Sequence, residues 1–228
     1  MNPCGNRIIV RRFGLVEYES SWRAMRDFTS TRVSDTPDEL WLLQHPPVFT
    51  LGLKKRGEQT GDNHGVRRVY SDRGGDVTYH GPGQVVAYLL ADLRRANIGI
   101  KSLVHAMEQC IIDLLADWNI RGERLSGAPG VYVEGKKIAA LGLRVRRGCT
   151  YHGLALNVAM DLTPFSWIDP CGYAGMEVTQ LADLAIGARL DAVADAVCEH
   201  LIHQLGYNLF DALNGTLSAS LEPEFHGL

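Results

Sequence analysis

Residues 130–158 read GVYVEGKKIAALGLRVRRGCTYHGLALNV, and this run decides the fold class. Val131-Tyr132-Val133 is β-branched and aromatic, Glu134-Gly135-Lys136 reads as a turn, and Ile138 to Val145 reads as a second strand. Arg146-Arg147-Gly148 then turns the chain into Thr150 to Val158. Strands joined by turns this short have to run antiparallel. Working outward, Arg7 to Arg12, Glu39 to Leu43, Val66 to Tyr70 and Val85 to Leu90 read as further strands bounded by turn residues. Three stretches carry a helical period instead. Tyr18, Trp22, Met25 and Phe28 form one stripe. Leu103, Met107, Cys110, Ile111, Leu114, Leu115 and Trp118 form a second, over about 101–118. Val193, Val197, Leu201 and Leu205 form a third, with Gly206 placed to end the helix. The expected fold is α+β: a mixed, largely antiparallel sheet with helices packed on one side. No repeat or linker divides the chain, so residues 1–228 are expected to form one domain.

Composition narrows the function. The 228 residues hold 46% hydrophobic and 21% charged side chains. Twenty-three Lys and Arg against 26 Asp and Glu leave a net charge of −3, which argues against a general nucleic-acid or membrane-surface binder. No apolar run reaches the 18 or so residues of a membrane span, and the start of the chain lacks a secretory apolar region. The five cysteines (Cys4, Cys110, Cys149, Cys171, Cys198) are odd in number and include no Cys-x-x-Cys pair. That points away from disulfides and cysteine zinc sites, toward a reducing cytoplasm.

Three segments concentrate chemistry. Arg73-Gly74-Gly75-Asp76-Val77-Thr78-Tyr79-His80-Gly81-Pro82-Gly83-Gln84 packs four glycines among polar side chains just ahead of a strand. Its glycines let backbone approach a ligand closely, but the spacing is neither a P-loop nor a dinucleotide fingerprint. Cys171, in Pro170-Cys171-Gly172-Tyr173, is set in a Pro/Gly-flanked loop. Cys110 and Cys198 read as small buried hydrophobes in helices, and Cys4 sits at the terminus. Cys149 is the competitor, because Arg146 and Arg147 are placed to stabilise its thiolate. In the third segment Lys136 belongs to the turn, whereas Lys137 opens a strand and can point inward. An inward lysine needs a partner, and a thiolate is one that suits it.

Taken together, Arg73 to Gln84, Gly135 to Val145, Gly153 to Val158 and Pro170 to Tyr173 resemble the octanoyltransferases of lipoate biosynthesis, the lipoyl(octanoyl) transferases that use acyl carrier protein as donor. The resemblance runs from Arg7 to about Leu205; the tail after Asn208 carries no signal. It implies the fold of the biotin/lipoate protein ligase catalytic domain. It implies Cys171 as the acyl-thioester nucleophile and Lys137 as the residue that lowers its pKa. It also implies an acyl site lined by Arg73, Gly74, Gly75, Asp76, Val77, Thr78, Tyr79 and His80, by Ala140, Leu141 and Gly142, and by Gly153, Leu154 and Ala155. The implied donor is octanoyl-acyl carrier protein. The implied acceptors are lipoyl domains of 2-oxoacid dehydrogenase E2 subunits and the glycine cleavage H protein. No metal, cofactor, nucleic acid or membrane enters this scheme, and a monomer is expected.

A thioester donor is already activated, so such a transfer needs no ATP. Backbone N–H groups near Gly172 or the Gly74-Gly75 turn are candidates for the oxyanion site, and neutral Lys137 or a nearby His80 is a candidate helper for the second step. The runner-up is an ATP-dependent lipoate or biotin ligase of the same fold, from which the Cys171 loop separates the chain. A noncatalytic carrier-binding module would not require Cys171 and Lys137. A metal hydrolase on His45, His80 and His152 lacks any helical His pair and leaves them as scattered structural residues. Basic residues (Lys54, Lys55, Arg56, Arg67, Arg68, Arg144, Arg146, Arg147) gather near the motifs and suit an acidic carrier.

Overall fold

A computed structural model of the chain describes residues 7–55, 64–168 and 176–214. In chain order its strands are β1 (Arg7–Leu15), β2 (Asp38–Gln44), β3 (Val48–Leu51), β4 (Arg67–Tyr70), β5 (Val77–His80), β6 (Gln84–Leu90), β7 (Glu123–Leu125), β8 (Ala128–Val133), β9 (Lys136–Arg146), β10 (Cys149–Asn157) and β11 (Leu209–Asn214). Its helices are α1 (Tyr18–Thr31), α2 (Ile100–Asp117), the single turn α3 (Leu181–Leu184) and α4 (Leu190–Gln204). Eight strands form one sheet in the order β11-β1-β2-β6-β10-β9-β8-β7. The β11-β1-β2 edge is parallel and every other pairing in that sheet is antiparallel. β4, β3 and β5 form a second, three-stranded sheet.

All seven residues of β6 are buried, and its alternation explains the layering. Val85, Ala87 and Leu89 face a core built with Leu103, Met107, Ile111 and Leu114 of α2 and Val193, Val197 and Leu201 of α4. Val86, Tyr88 and Leu90 face the other way, into a core with Phe13, Met25 and Trp41. The expectation of helices on one side is therefore corrected: α1 covers the opposite face. A strand apolar on both faces needs cover on both, which is what the unbroken run Val85 to Leu90 signals.

The two hairpin turns are one residue tighter than the sequence suggests. Val133 pairs with Lys136 and Arg146 with Cys149, so the loops are Glu134-Gly135 and Arg147-Gly148. All four residues have positive φ, as a two-residue type I′ turn requires. Lys136 and Arg146 thus belong to β9. The segment Arg73 to Gln84 contains a strand, β5, which pairs with β3, and neither of those two was expected. The tail taken as silent supplies β11, paired in parallel with β1. At the end of α4, Gly206 (φ +69°) closes a Schellman turn: its N–H reaches His203 O and that of Tyr207 reaches Ile202 O, each at 3.0 Å.

Candidate active site

A cleft of about 770 Å³, counting its open mouth, lies against the α1-side face of β6, β9 and β10. β9 and β10 supply facing pairs: Ala140 with Ala155, Leu141 with Leu154, and Gly142 with Gly153. The two small-residue segments singled out in the sequence are cross-strand partners, and together they make a floor on which an extended apolar chain can lie. Val86 and Tyr88 of β6 and Phe165 continue the wall.

Lys137 lines this cleft and is only 4% exposed. Alternation in β9 turns it inward while Lys136 points out, where it pairs with Glu177 at 2.7 Å. The Lys137 ammonium sits 5.2 Å from the centre of the Tyr132 ring. Gly130 leaves room for its aliphatic end, since a Cβ there would come within 3.2 Å of Lys137 Cε. Its backbone is tied to the returning chain. Lys137 N–H donates to Glu177 O at 2.9 Å and Thr179 N–H donates to Lys137 O at 3.0 Å.

The Arg73 segment divides. Arg73, Gly75, Asp76, Val77, Thr78 and His80 line the cleft; Gly74 and Tyr79 do not. Tyr79 points to the other side of β5, between Phe49 and Phe165. Gly74 N–H is spent on Leu143 O at 2.8 Å, so it is removed as an oxyanion donor. Arg73 is a buried strut. It donates to Thr50 Oγ1 (3.0 Å), Thr50 O (2.6 Å) and Gly74 O (3.0 Å), locking the glycine turn to β3. Asp76 is buried, and its Oδ1 has no hydrogen-bond partner among the described residues.

His45, His80 and His152, which read as scattered, come together beneath the cleft. The His45 and His80 rings are 5.5 Å apart, and Tyr88 lies within 6 Å of both His45 and His152. His45 bonds Val16 O (2.6 Å) and Tyr88 OH (2.7 Å); His80 Nδ1 bonds Gln84 Oε1 (2.7 Å). Gln84 donates to Asn157, which donates to Thr179 O. Burial pushes His45 down to about 4 and His80 well below its ordinary range, so both rings are neutral at physiological pH. Among the described residues no group of three His, Cys, Asp or Glu side chains could hold a metal ion.

Asp72 was not singled out by the sequence reading, yet it anchors this network. Its carboxylate accepts from His152 Nε2 (3.0 Å), Trp22 Nε1 (2.7 Å) and Tyr151 OH. Burial alone would raise its pKa, but these bonds hold it well below the usual carboxylate range. Neighbouring strand residues ordinarily point to opposite faces. His152 has φ +63°, which swings its ring round to the carboxylate that Tyr151 also meets.

Cys171 lies outside the described residues, between Ile168 and Met176. The three described cysteines are buried, and burial pushes each thiol up, Cys198 to about 11. For Cys149, burial and Asp92 outweigh the nearby Arg32 and Arg94, so the thiolate expected from Arg146 and Arg147 is not favoured.

Residues 17–202 match the model of the lipoyl protein ligase A/B catalytic domain. The chain belongs to this family. An octanoyltransferase from Azoarcus sp. (strain BH72) is 54% identical over 199 residues, 87% of this chain and 88% of that protein. One from Stutzerimonas stutzeri (strain A1501) is 52% identical over 210 residues, 92% of this chain and 96% of that one. The chain therefore groups with the octanoyltransferases of the family and is an acyltransferase. Among solved structures it is similar to lipoate-protein ligase A bound with ATP (TM-score 0.74, 16% identity, 94% of this chain and 92% of that one). It is also similar to a bi-partite lipoate protein ligase from Thermoplasma acidophilum, studied with its E2 lipoyl domain (TM-score 0.70, 16% identity, 93% and 86%). These structures carry the fold of the family, which is the one expected from the sequence. Among the described residues no helix is long and apolar enough to cross a membrane.

Proposed function

We propose that this acyltransferase moves an octanoyl group from the phosphopantetheine thioester of acyl carrier protein to a lysine of lipoyl domains, by way of a thioester on Cys171. The observation that carries this reading is Lys137: a lysine 4% exposed, lining an apolar cleft, with its backbone bonded to Glu177 and Thr179 a few residues beyond Cys171. A lysine held in such a cleft can stabilise an anion that forms beside it, and a thiolate attacking a thioester is such an anion.

In the first step the Cys171 thiolate attacks the donor carbonyl and the phosphopantetheine thiolate leaves. In the second, the lysine amine attacks the octanoyl-enzyme, the amide forms and the cysteine sulfur leaves. The floor of Ala140, Leu141, Gly153, Leu154 and Ala155 suits the acyl chain. Each methylene buried there contributes about 0.8 kcal/mol. The likeness to a lipoate-protein ligase bound with ATP keeps an ATP-dependent route as the rival.

Intact-mass measurement after incubation with octanoyl-acyl carrier protein, without ATP, tests the reading. One octanoyl adduct is expected, mapped to Cys171 and absent from Cys171→Ala. An adduct on Cys149, full turnover by Cys171→Ala, or a strict need for ATP would overturn it.

A further inference from the structure

Three rows of residues cross the floor of the cleft, because strand partners sit side by side. Gln84 and Asn157 make the first row; Val86, Ala155 and Ala140 the second; Tyr88, Gly153 and Gly142 the third. All of them line the cleft. Lys137 closes the first row: its carbonyl accepts from Thr179 N–H, and Asn157 Nδ2 donates to Thr179 O, each at 3.0 Å. Residues on one face of a strand are two positions apart, so the third row lies about 13 Å from the first. That third row is covered on β9. A Cβ on Gly142 would come within 3.1 Å of Arg73 Cδ and of Gly74 O, so the Arg73 side chain already fills the space above this glycine. Bonds to Thr50 and Gly74 hold it there. Ala140, one row nearer Lys137 on the same face, is only half-buried.

Resting on the transfer reading above, which sets the thioester beside Lys137, we propose that β9 determines acyl-chain length: the chain runs over the small side chain of Ala140 and stops where Arg73 covers Gly142. An extended chain advances about 1.3 Å for each C–C bond of about 1.5 Å, so octanoyl spans about 9 Å from carbonyl to methyl. With its carbonyl at the first row it passes Ala140 and ends about 4 Å short of the third row, one carbon–carbon contact away. A butanoyl chain, about 4 Å long, stops before it reaches Ala140. A dodecanoyl chain, about 14 Å long, runs into the Arg73 side chain. Bulk added at residue 140 therefore stands in the path of octanoyl and outside the path of butanoyl.

The test offers pairs of acyl-carrier donors of different chain length, without ATP, to a lipoyl domain and reads the acylated products by mass. Wild-type enzyme is expected to use dodecanoyl at least about 10-fold less well than octanoyl, since even one surplus methylene in a fitted pocket costs that much. Ala140→Leu should lower the octanoyl-to-butanoyl ratio of kcat/KM at least about 10-fold, and Ala140→Val should lower it less. Valine suits a strand, so Ala140→Val carries the test if Ala140→Leu does not fold. An unchanged ratio in a folded variant, or dodecanoyl used as well as octanoyl by wild type, overturns the role of β9 in length selection alone. A wild-type enzyme that transfers no acyl group of any length without ATP overturns the transfer reading instead.

Discussion

Lys136 and Lys137 differ by one position in β9 and by everything in environment. The first spends its charge on Glu177 in water; the second is enclosed, its ammonium over the Tyr132 ring. Exposed pairs contribute little, whereas a buried cation acts strongly on whatever anion shares its cavity. Lys137→Ala is therefore expected to slow alkylation of Cys171 by iodoacetamide at pH 7 by roughly tenfold, through a smaller thiolate fraction. Lys136→Ala should alkylate at the wild-type rate. Peptide mass mapping over a time course measures both, and equal rates would take Lys137 out of the chemistry.

At the scale of elements, the β9–β10 hairpin and its contact with β6 hold the floor of the cleft. At Gly153 β10 passes close to β6: a Cβ there would meet Ala87 O at 1.9 Å. Gly153→Ala must push two central strands apart, so it should cost about 3 kcal/mol, the upper end for overpacking a core, and abolish acyl transfer. Urea denaturation gives the first number; a loss under 1 kcal/mol would mean that the strands yield easily. The hairpin was readable beforehand because its signals are local: glycines at two-residue turns and a period of two between them. So was the inward turn of Lys137. β3 was hidden behind Pro46-Pro47, which reads as loop, and β5 behind the glycines that precede it. The both-sided burial of β6 was written in its apolar run but assigned to one face. The Asp72–His152 contact joins residues 80 positions apart, and neither neighbourhood announces the other. His152 is buried and Asp72 half-buried, and their meeting is a property of the assembled sheet, not of spacing.

For the whole molecule, a net charge of −3 hides an uneven surface. Arg146 and Arg147 are exposed at the tip of the β9–β10 hairpin, and Arg144 is half-buried between that tip and the cleft. Lys54 is exposed and Arg67 pairs with Glu19 across the α1 side; Arg56 lies outside the described residues. Exposed charges act over about 8–10 Å at physiological salt, so with the proposed carrier as donor, and that carrier acidic, their effect would fall on encounter rather than on chemistry. kcat/KM for octanoyl-acyl carrier protein should fall as ionic strength rises, while an octanoyl thioester of a small neutral thiol should respond little. Reversing the charges of Arg146 and Arg147 should flatten the carrier's salt curve. Identical salt responses of the two donors would leave docking to shape.

The pairing of β11 with β1 sets a problem of timing during synthesis. β1 leaves the ribosome first and finds β2 soon after, on one edge. Its other edge matches Leu209–Asn214, made about 200 residues later. At roughly 5–20 residues per second that wait is on the order of 10–40 seconds. Until it ends, the first strand presents an open row of backbone donors and acceptors, with Ile8 and Val10 close by, to any other extended chain. Completion of the chain moves that open edge outward, from β1 to β11.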